Sequence, residues 1–185
     1  MLILIIVVNL LIYAIMAAGM AEFTFDGEEL LRWGGNLGEL SLHGEPWRLV
    51  TALFIHASPQ HIIGNMVLLA ITAAWVEPRV GPSRVICAYA ACGLAASLLS
   101  ALGHPHIVGI GASGAIAGLV GIILAFYASG RFPEIRGAWI AQTVGINAIY
   151  SLAPDVDWLA HLGGFASGLA AGGVLLANSA RTDGS

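Results

Sequence analysis

Long stretches without charged side chains are the feature that most constrains this chain. There are six of them, at about 1–20, 50–76, 85–103, 108–129, 137–153 and 158–178. A membrane-spanning helix needs about 20 predominantly apolar residues, so each stretch is a candidate span. We therefore predict an all-α polytopic membrane protein, a bundle of six transmembrane helices that forms a single domain over residues 1–185.

The composition supports this interpretation and argues against others. Of the 185 residues, 58% are hydrophobic and 10% are charged, whereas soluble domains carry roughly 25% charged residues. The 7 basic and 11 acidic residues form no basic stripe, so nucleic-acid binding is not expected. Cys87 and Cys92 lie in an apolar run and indicate neither a disulfide framework nor a zinc site. We expect membrane lipid as the surroundings and no cofactor.

The segment 21–47, which we call the acidic segment, separates the first two stretches. It contains several glutamates and glycines among scattered apolar residues, so we predict a long structured first external loop. The stretch 1–20 has no basic residues before it and is longer than the apolar part of a signal peptide, so we interpret it as a retained helix.

The arginines predict the orientation. Most lie in the second and fourth loops and in the C-terminal tail, which share one side of a six-span protein: Arg79, Arg84, Arg131, Arg136 and Arg181. Cytoplasmic loops carry an excess of basic residues. Both termini are therefore expected on the cytoplasmic side, and the acidic segment outside.

Several polar side chains lie where the predicted spans should be apolar. His61 and Asn65 lie early in span two, Ser113 early in span four and His161 early in span six. Even-numbered spans run inward, so these residues lie within about one to two helical turns, or ~5–10 Å, of the outer end. Because polar groups are costly at membrane depth, such residues are candidates for function.

Helical spacing relates these residues to one another. His61 and Asn65 are four residues apart and share a face. His56 lies off that face, and Pro59 lies between the two histidines, so a metal site built on them is disfavoured.

Small residues recur at four-residue spacing in spans four and six, including Gly114, Gly118, Gly164 and Gly168. Such spacing lets two helix backbones approach closely in lipid. If these stripes face each other, Ser113 and His161 come within hydrogen-bond reach, as an activated serine requires.

Simpler interpretations of the same residues remain open. A serine in a glycine-rich span often bonds only to its own helix, and a lone intramembrane histidine can be a proton-relay residue or a ligand of a metal or haem. The shared depth of these residues favours a common site. Gly111 and Gly114 flank Ser113, and we expect them to let a substrate backbone approach it.

Three motifs together make the sequence resemble the rhomboid intramembrane serine proteases, in their minimal six-helix form. They are Glu45-Pro46-Trp47-Arg48 followed by His56, His61, Asn65 and Met66; Gly111-Ala112-Ser113-Gly114; and Ala160-His161 followed by Gly164 and Gly168. The resemblance covers roughly 45–175, with the motifs in the family's order. One residue departs from it, since family members often carry an aromatic side chain where this chain has Ala117.

The resemblance implies an endopeptidase that cleaves single-span membrane proteins near the outer face. It implies a dyad of Ser113 and His161, with the oxyanion held by the side chains of His61 and Asn65 and by the backbone N–H of Ser113. It gives His56 a supporting role and makes Trp47 and Arg48 anchors of the first loop.

The minimal form favours a prokaryotic plasma membrane. Span five would be the movable gate for substrate, by analogy with the family.

Two other functions remain as alternatives. One is a catalytically inactive rhomboid-like protein that binds membrane helices, and the other is a small transporter or metal-handling protein that uses His61 and His161. The sequence leaves the oligomeric state and the physiological substrate open.

Overall fold

The structure is a computed structural model that describes residues 2–153 and 156–182. Within these ranges the regular structure is helical, apart from an isolated β-bridge between Asn36 and Gly109. The helices of the described residues are α1 (Leu2–Met20), α2 (Gly27–Arg32), α3 (Gly38–Ser41), α4 (Arg48–Thr51), α5 (Pro59–Val80), α6 (Pro82–Gly103), α7 (Ser113–Ala128), α8 (Gly137–Ser151) and α9 (Trp158–Thr182). A short 3₁₀ turn, Ala52–Phe54, follows α4.

Four of these helices are long and apolar enough to cross a membrane: α1, α5, α6 and α9. The prediction of an all-α protein with several membrane spans is confirmed to that extent. Two further apolar helices are shorter: α7 has 16 residues and α8 has 15.

The predicted stretch at 50–76 is divided in the structure. Its first part forms the end of α4 and the 3₁₀ turn, and the long helix α5 begins only at Pro59. Proline is favoured in the first turn of a helix because it has no N–H to donate there. Ser58 precedes it and caps the helix, its hydroxyl oxygen accepting from the backbone N–H of His61 at 3.2 Å. The long helix of this stretch therefore starts at 59 and not at 50.

Helix α7 lies at the centre of the protein. Every residue from Gly114 to Ile123 is buried, and the helix contacts α5, α6, α8 and α9. Small residues at 114, 118 and 121 let the backbones of α6 and α9 approach α7 closely, as small residues do in membrane helix packing. These small residues explain the central place of α7, and its first residue, Ser113, lies at one end of the core.

Arg48, which directly follows the acidic segment, holds that segment together. Its side chain is buried, and its Nε donates to Oε2 of Glu45 at 2.6 Å. Nη1 donates to the carbonyl oxygens of Leu31 at 2.6 Å and Gly35 at 3.1 Å. The guanidinium also lies 4.5 Å from the ring centroid of Trp47, which is 48% exposed. The two residues expected to anchor the first loop therefore differ. Arg48 is buried and hydrogen-bonds within the protein, whereas Trp47 is exposed.

We predict that Arg48→Lys destabilises the acidic segment while Arg32→Lys does not. A lysine has one nitrogen and cannot reproduce the guanidinium's contacts with three oxygens. The loss should be about 1–2 kcal/mol, the range of one or two hydrogen bonds. The checks are the midpoint of thermal unfolding in detergent and the rate of proteolysis within residues 21–47. Arg32 is exposed, so equal effects of the two substitutions would contradict the role of Arg48.

Candidate active site

Glycines bring the backbones of α7 and α9 into direct contact. A Cβ atom added to Gly164 would collide with the carbonyl oxygen of Gly114. One added to Gly168 would likewise collide with the carbonyl oxygen of Gly118. Paired small residues at four-residue spacing permit this approach, and van der Waals packing of the two backbones then stabilises it in lipid. The four glycines therefore fix α7 and α9 in one register.

This contact brings Ser113 and His161 to the same level of the helix interface. Ser113 is the first residue of α7 and directly precedes Gly114. His161 lies in the first turn of α9, directly after Ala160. A Cβ atom on Gly114 would lie 3.4 Å from the carbonyl oxygen of Ala160. The neighbours of Ser113 and His161 thus pack on each other, with His161 buried and Ser113 half-buried.

Gly114 therefore serves helix packing. A Cβ atom there would meet the Cβ of Ala96 on α6 as well as the backbone of Ala160 on α9. Gly114 also lines the cavity, so the expectation that it lets a substrate approach Ser113 stays a prediction. The requirement for glycine comes from the crossing of three helices at this point.

Gly111 shapes the backbone in front of Ser113. Its φ of 98° lies in the left-handed region that favours glycine, and its N–H donates to the carbonyl oxygen of Ala52 at 2.8 Å. Two residues earlier, Gly109 exchanges backbone hydrogen bonds of 2.8 and 2.9 Å with Asn36 of the acidic segment. The loop before α7 is thus tied at two points, which positions the start of the helix.

His61 and Asn65 approach Ser113 from α5 across Gly111. A Cβ atom on Gly111 would lie 2.8 Å from Nε2 of His61 and 3.3 Å from Nδ2 of Asn65. Asn65 is 4% exposed, and its Nδ2 donates no hydrogen bond within the described part of the chain. The amide donor Nδ2 of Asn65 and the ring nitrogen Nε2 of His61 therefore both lie beside the loop that carries Ser113.

His61, Asn65 and Ser113 line one cavity of about 1020 Å³. Its polar lining comprises Asn36, Ser58, Gln60, His61, Asn65, Ser97, Ser100, His104, Ser113 and Asp157. Trp47, Arg48, His56 and the buried His161 lie outside that lining, although the neighbouring Ala160 belongs to it. Across the described ranges, no three His, Cys, Asp or Glu side chains converge as metal ligands would.

His56 does not line the cavity itself but packs against His61, which does. It is fully buried in the turn before α5. Its ring packs edge-to-face on His61, with the ring centroids 5.0 Å apart and the planes at 67°. The contact supports the ring of His61.

Asp157 fixes the start of α9 and was missed by the sequence analysis. Its Oδ1 accepts from the amides of the second and third residues of α9 at 3.1 and 3.2 Å. The same carboxylate binds the hydroxyl of Ser100 and lies 3.0 Å from Nδ1 of His104. This cap ties the first turn of α9, with His161, to the end of α6. An aspartate directly before an apolar helical run is a recognised N-cap signal that could have identified it.

Ser151, the last residue of α8, contacts the imidazole of His161. Its Oγ lies 2.6 Å from Nδ1 of that ring and 2.7 Å from the carbonyl oxygen of Asn147, one turn earlier on α8. The role of Ser151 could not be predicted from the sequence, because a serine at a helix end carries no motif or periodic signal.

These observations define a class of protein: a polytopic membrane protein whose polar site is built from the ends of helices. Residues 43–178 match the Rhomboid domain family. The chain belongs to the rhomboid family, and its apolar helices make it an integral membrane protein.

Similar proteins come from a plant, a parasite and a bacterium. RHOMBOID-like protein 1 of Arabidopsis thaliana is 35% identical over 139 residues, covering 71% of this chain and 35% of that protein. Rhomboid-like protease 3 of Toxoplasma gondii is 30% identical, with coverage of 67% and 49%. Rhomboid protease GluP of Bacillus subtilis is 32% identical, with coverage of 80% and 30%. The chain thus spans at most about half the length of these relatives.

We predict that Gly168→Ala separates α7 from α9, whereas Gly173→Ala does not. A methyl group at 168 collides with the backbone of α7, but one at 173 meets nothing within 4 Å. Both positions lie in α9, so the gain in helix propensity cancels in the comparison. Overpacking of this kind costs about 1–3 kcal/mol. Thermal unfolding in detergent measures the difference, and indistinguishable midpoints would refute the glycine contact.

Proposed function

We propose that this protein is an intramembrane serine endopeptidase that cleaves transmembrane segments through a dyad of Ser113 and His161. The observation that carries the proposal is the glycine-mediated contact of α7 and α9, which brings the first turns of the two helices together at a polar cavity. The similarity to Rhomboid protease GluP and Rhomboid-like protease 3 supports the same chemistry.

In the proposed reaction, Oγ of Ser113 attacks the scissile carbonyl carbon while its proton moves to Nε2 of His161. The tetrahedral intermediate collapses as the C–N bond breaks, and His161 gives the proton to the leaving amine. Water then attacks the acyl-enzyme ester while His161 takes its proton, and His161 passes that proton to Oγ of Ser113 as the ester C–O bond breaks and the carboxylic acid product leaves.

We assign the oxyanion to three donors: the side chains of His61 and Asn65 and the backbone N–H of Ser113. The buried Nδ2 of Asn65, which donates no hydrogen bond within the described residues, supports this role. Gly111 supports it too, since only a residue without a side chain leaves room for His61 there. Removing one such donor typically lowers kcat by about 10²–10³-fold.

The proposed membrane arrangement has six spans, with α7 and α8 as the two short ones. A helix of 16 residues is about 24 Å long at 1.5 Å per residue, which is less than the roughly 30 Å of the hydrocarbon core. If the inner end of α7 reaches the cytoplasmic boundary, its first residue lies below the outer one. The arginine distribution supports cytoplasmic termini and a site near the outer face.

We propose single-span membrane proteins as substrates. A peptide bond within a helix must lose its hydrogen bonds before it can be cleaved, so segments with helix-weakening residues are favoured. We propose entry between α5 and α8 at the end that carries His61 and Ser151. At the other end the two helices are joined by Trp75 and Trp139, whose ring centroids lie 4.5 Å apart. Relatives of plant, parasite and bacterial origin do not favour the expected prokaryotic plasma membrane over another.

We predict that the protein, reconstituted in vesicles with a single-span substrate, cleaves it. Ser113→Ala and His161→Ala should each lower the rate by about 10⁴-fold or more, since dyad residues act as a unit. Ser129→Ala and His43→Ala are the controls, because both side chains are exposed and neither lines the cavity, whereas His161 is buried. Gel analysis with mass spectrometry of the products measures cleavage.

Two results would count against the proposal. Cleavage that survives Ser113→Ala would exclude this serine as the nucleophile. Binding of the substrate without cleavage by the wild-type protein would favour the inactive helix-binding alternative.

A further inference from the structure

The contact between Ser151 and His161 determines a proton position as well as a ring position. Oγ of Ser151 makes two short polar contacts, 2.6 Å to Nδ1 of His161 and 2.7 Å to the carbonyl oxygen of Asn147. A serine hydroxyl carries one hydrogen and can donate in only one of them. Which contact receives that hydrogen decides the tautomer of the imidazole.

The two placements of the hydrogen differ in energy. If Ser151 donates to Nδ1, its lone pairs face the carbonyl oxygen of Asn147 at 2.7 Å, and two acceptors repel each other. If Ser151 donates to Asn147, then Nδ1–H of His161 donates to Oγ, and both contacts are hydrogen bonds. His161 is 3% exposed, and buried polar groups are paired with complementary partners. The second placement is therefore favoured.

We propose that Ser151 is a positioning residue that holds His161 in the tautomer protonated on Nδ1. In that tautomer Nε2 carries the lone pair that takes the proton of Ser113, so the inference rests on the proposed function. When His161 becomes cationic, its Nδ1–H bond to Ser151 persists and gains charge assistance. A third group that orients the base is a recurring element of activated-nucleophile sites.

The same helix offers a matched control. Thr143 lies two turns before Ser151 on α8, and its hydroxyl donates to the carbonyl oxygen of Trp139 at 2.9 Å. This bond has the same four-residue spacing as that of Ser151 to Asn147. Thr143→Val removes a hydroxyl from α8 without changing the described contact with His161.

Nitrogen NMR of the whole protein in detergent, with ¹⁵N-labelled histidine, tests the tautomer directly. The spectrum of His161→Gln identifies the His161 signals. We expect a protonated Nδ1 and an unprotonated Nε2 in the wild type and in Thr143→Val, and a larger fraction protonated on Nε2 in Ser151→Ala. A wild-type imidazole protonated on Nε2, or equal fractions in Ser151→Ala and the wild type, would overturn the proposal.

Cleavage kinetics in vesicles test the consequence. Ser151→Ala should lower kcat about tenfold with KM unchanged, the effect of one lost hydrogen bond. Ser151→Thr should restore most of it, and Thr143→Val should equal the wild type. If Ser151→Ala keeps the wild-type kcat while Ser113→Ala abolishes cleavage, this inference fails and the proposed function stands. If cleavage survives Ser113→Ala, the proposed function fails, and the NMR result alone decides whether Ser151 sets the tautomer.

Discussion

The direct contact between the backbones of α7 and α9 is the constraint on which the rest of the structure depends. A side chain at Gly164 or Gly168 would collide with the carbonyl oxygens of α7, so the helices can approach this closely only where Cβ atoms are absent. The residues next to these glycines are therefore also brought close together. The hydroxyl of Ser113 and the imidazole of His161, far apart in the sequence, therefore lie in the first turns of two adjoining helices.

Hydrogen bonds hold the starts of both α7 and α9, and α8 adds a contact to His161. The loop before α7 is pinned to Asn36 and Ala52, and Asp157 pins the start of α9 to α6. Much of α8 is exposed, yet its last residue, Ser151, contacts the imidazole of His161. Helix α8, which we propose borders the substrate route, therefore also contacts the candidate base, His161. A movement of α8 would change the contact between Ser151 and the ring of His161.

The sequence predicted the helical membrane architecture and singled out Ser113, His161, His61 and Asn65, because polar groups in apolar stretches are conspicuous. It did not predict the hydrogen bond of Ser151, which depends on where the end of α8 meets α9. Ala117 shows the same limit, since the sequence reveals the missing aromatic residue but not which group holds the imidazole. Asp157 differs, because an aspartate directly before an apolar helical run is a capping signal that the sequence does contain.

Reaction of the folded protein in detergent with a fluorophosphonate probe, followed by mass spectrometry of the modified peptide, tests most directly whether Ser113 is an activated serine. The account predicts one adduct, on Ser113, that is absent from Ser113→Ala and strongly reduced in His161→Ala, since an unactivated hydroxyl reacts poorly. An adduct on a different serine, or equal modification of the wild type and His161→Ala, would contradict the account.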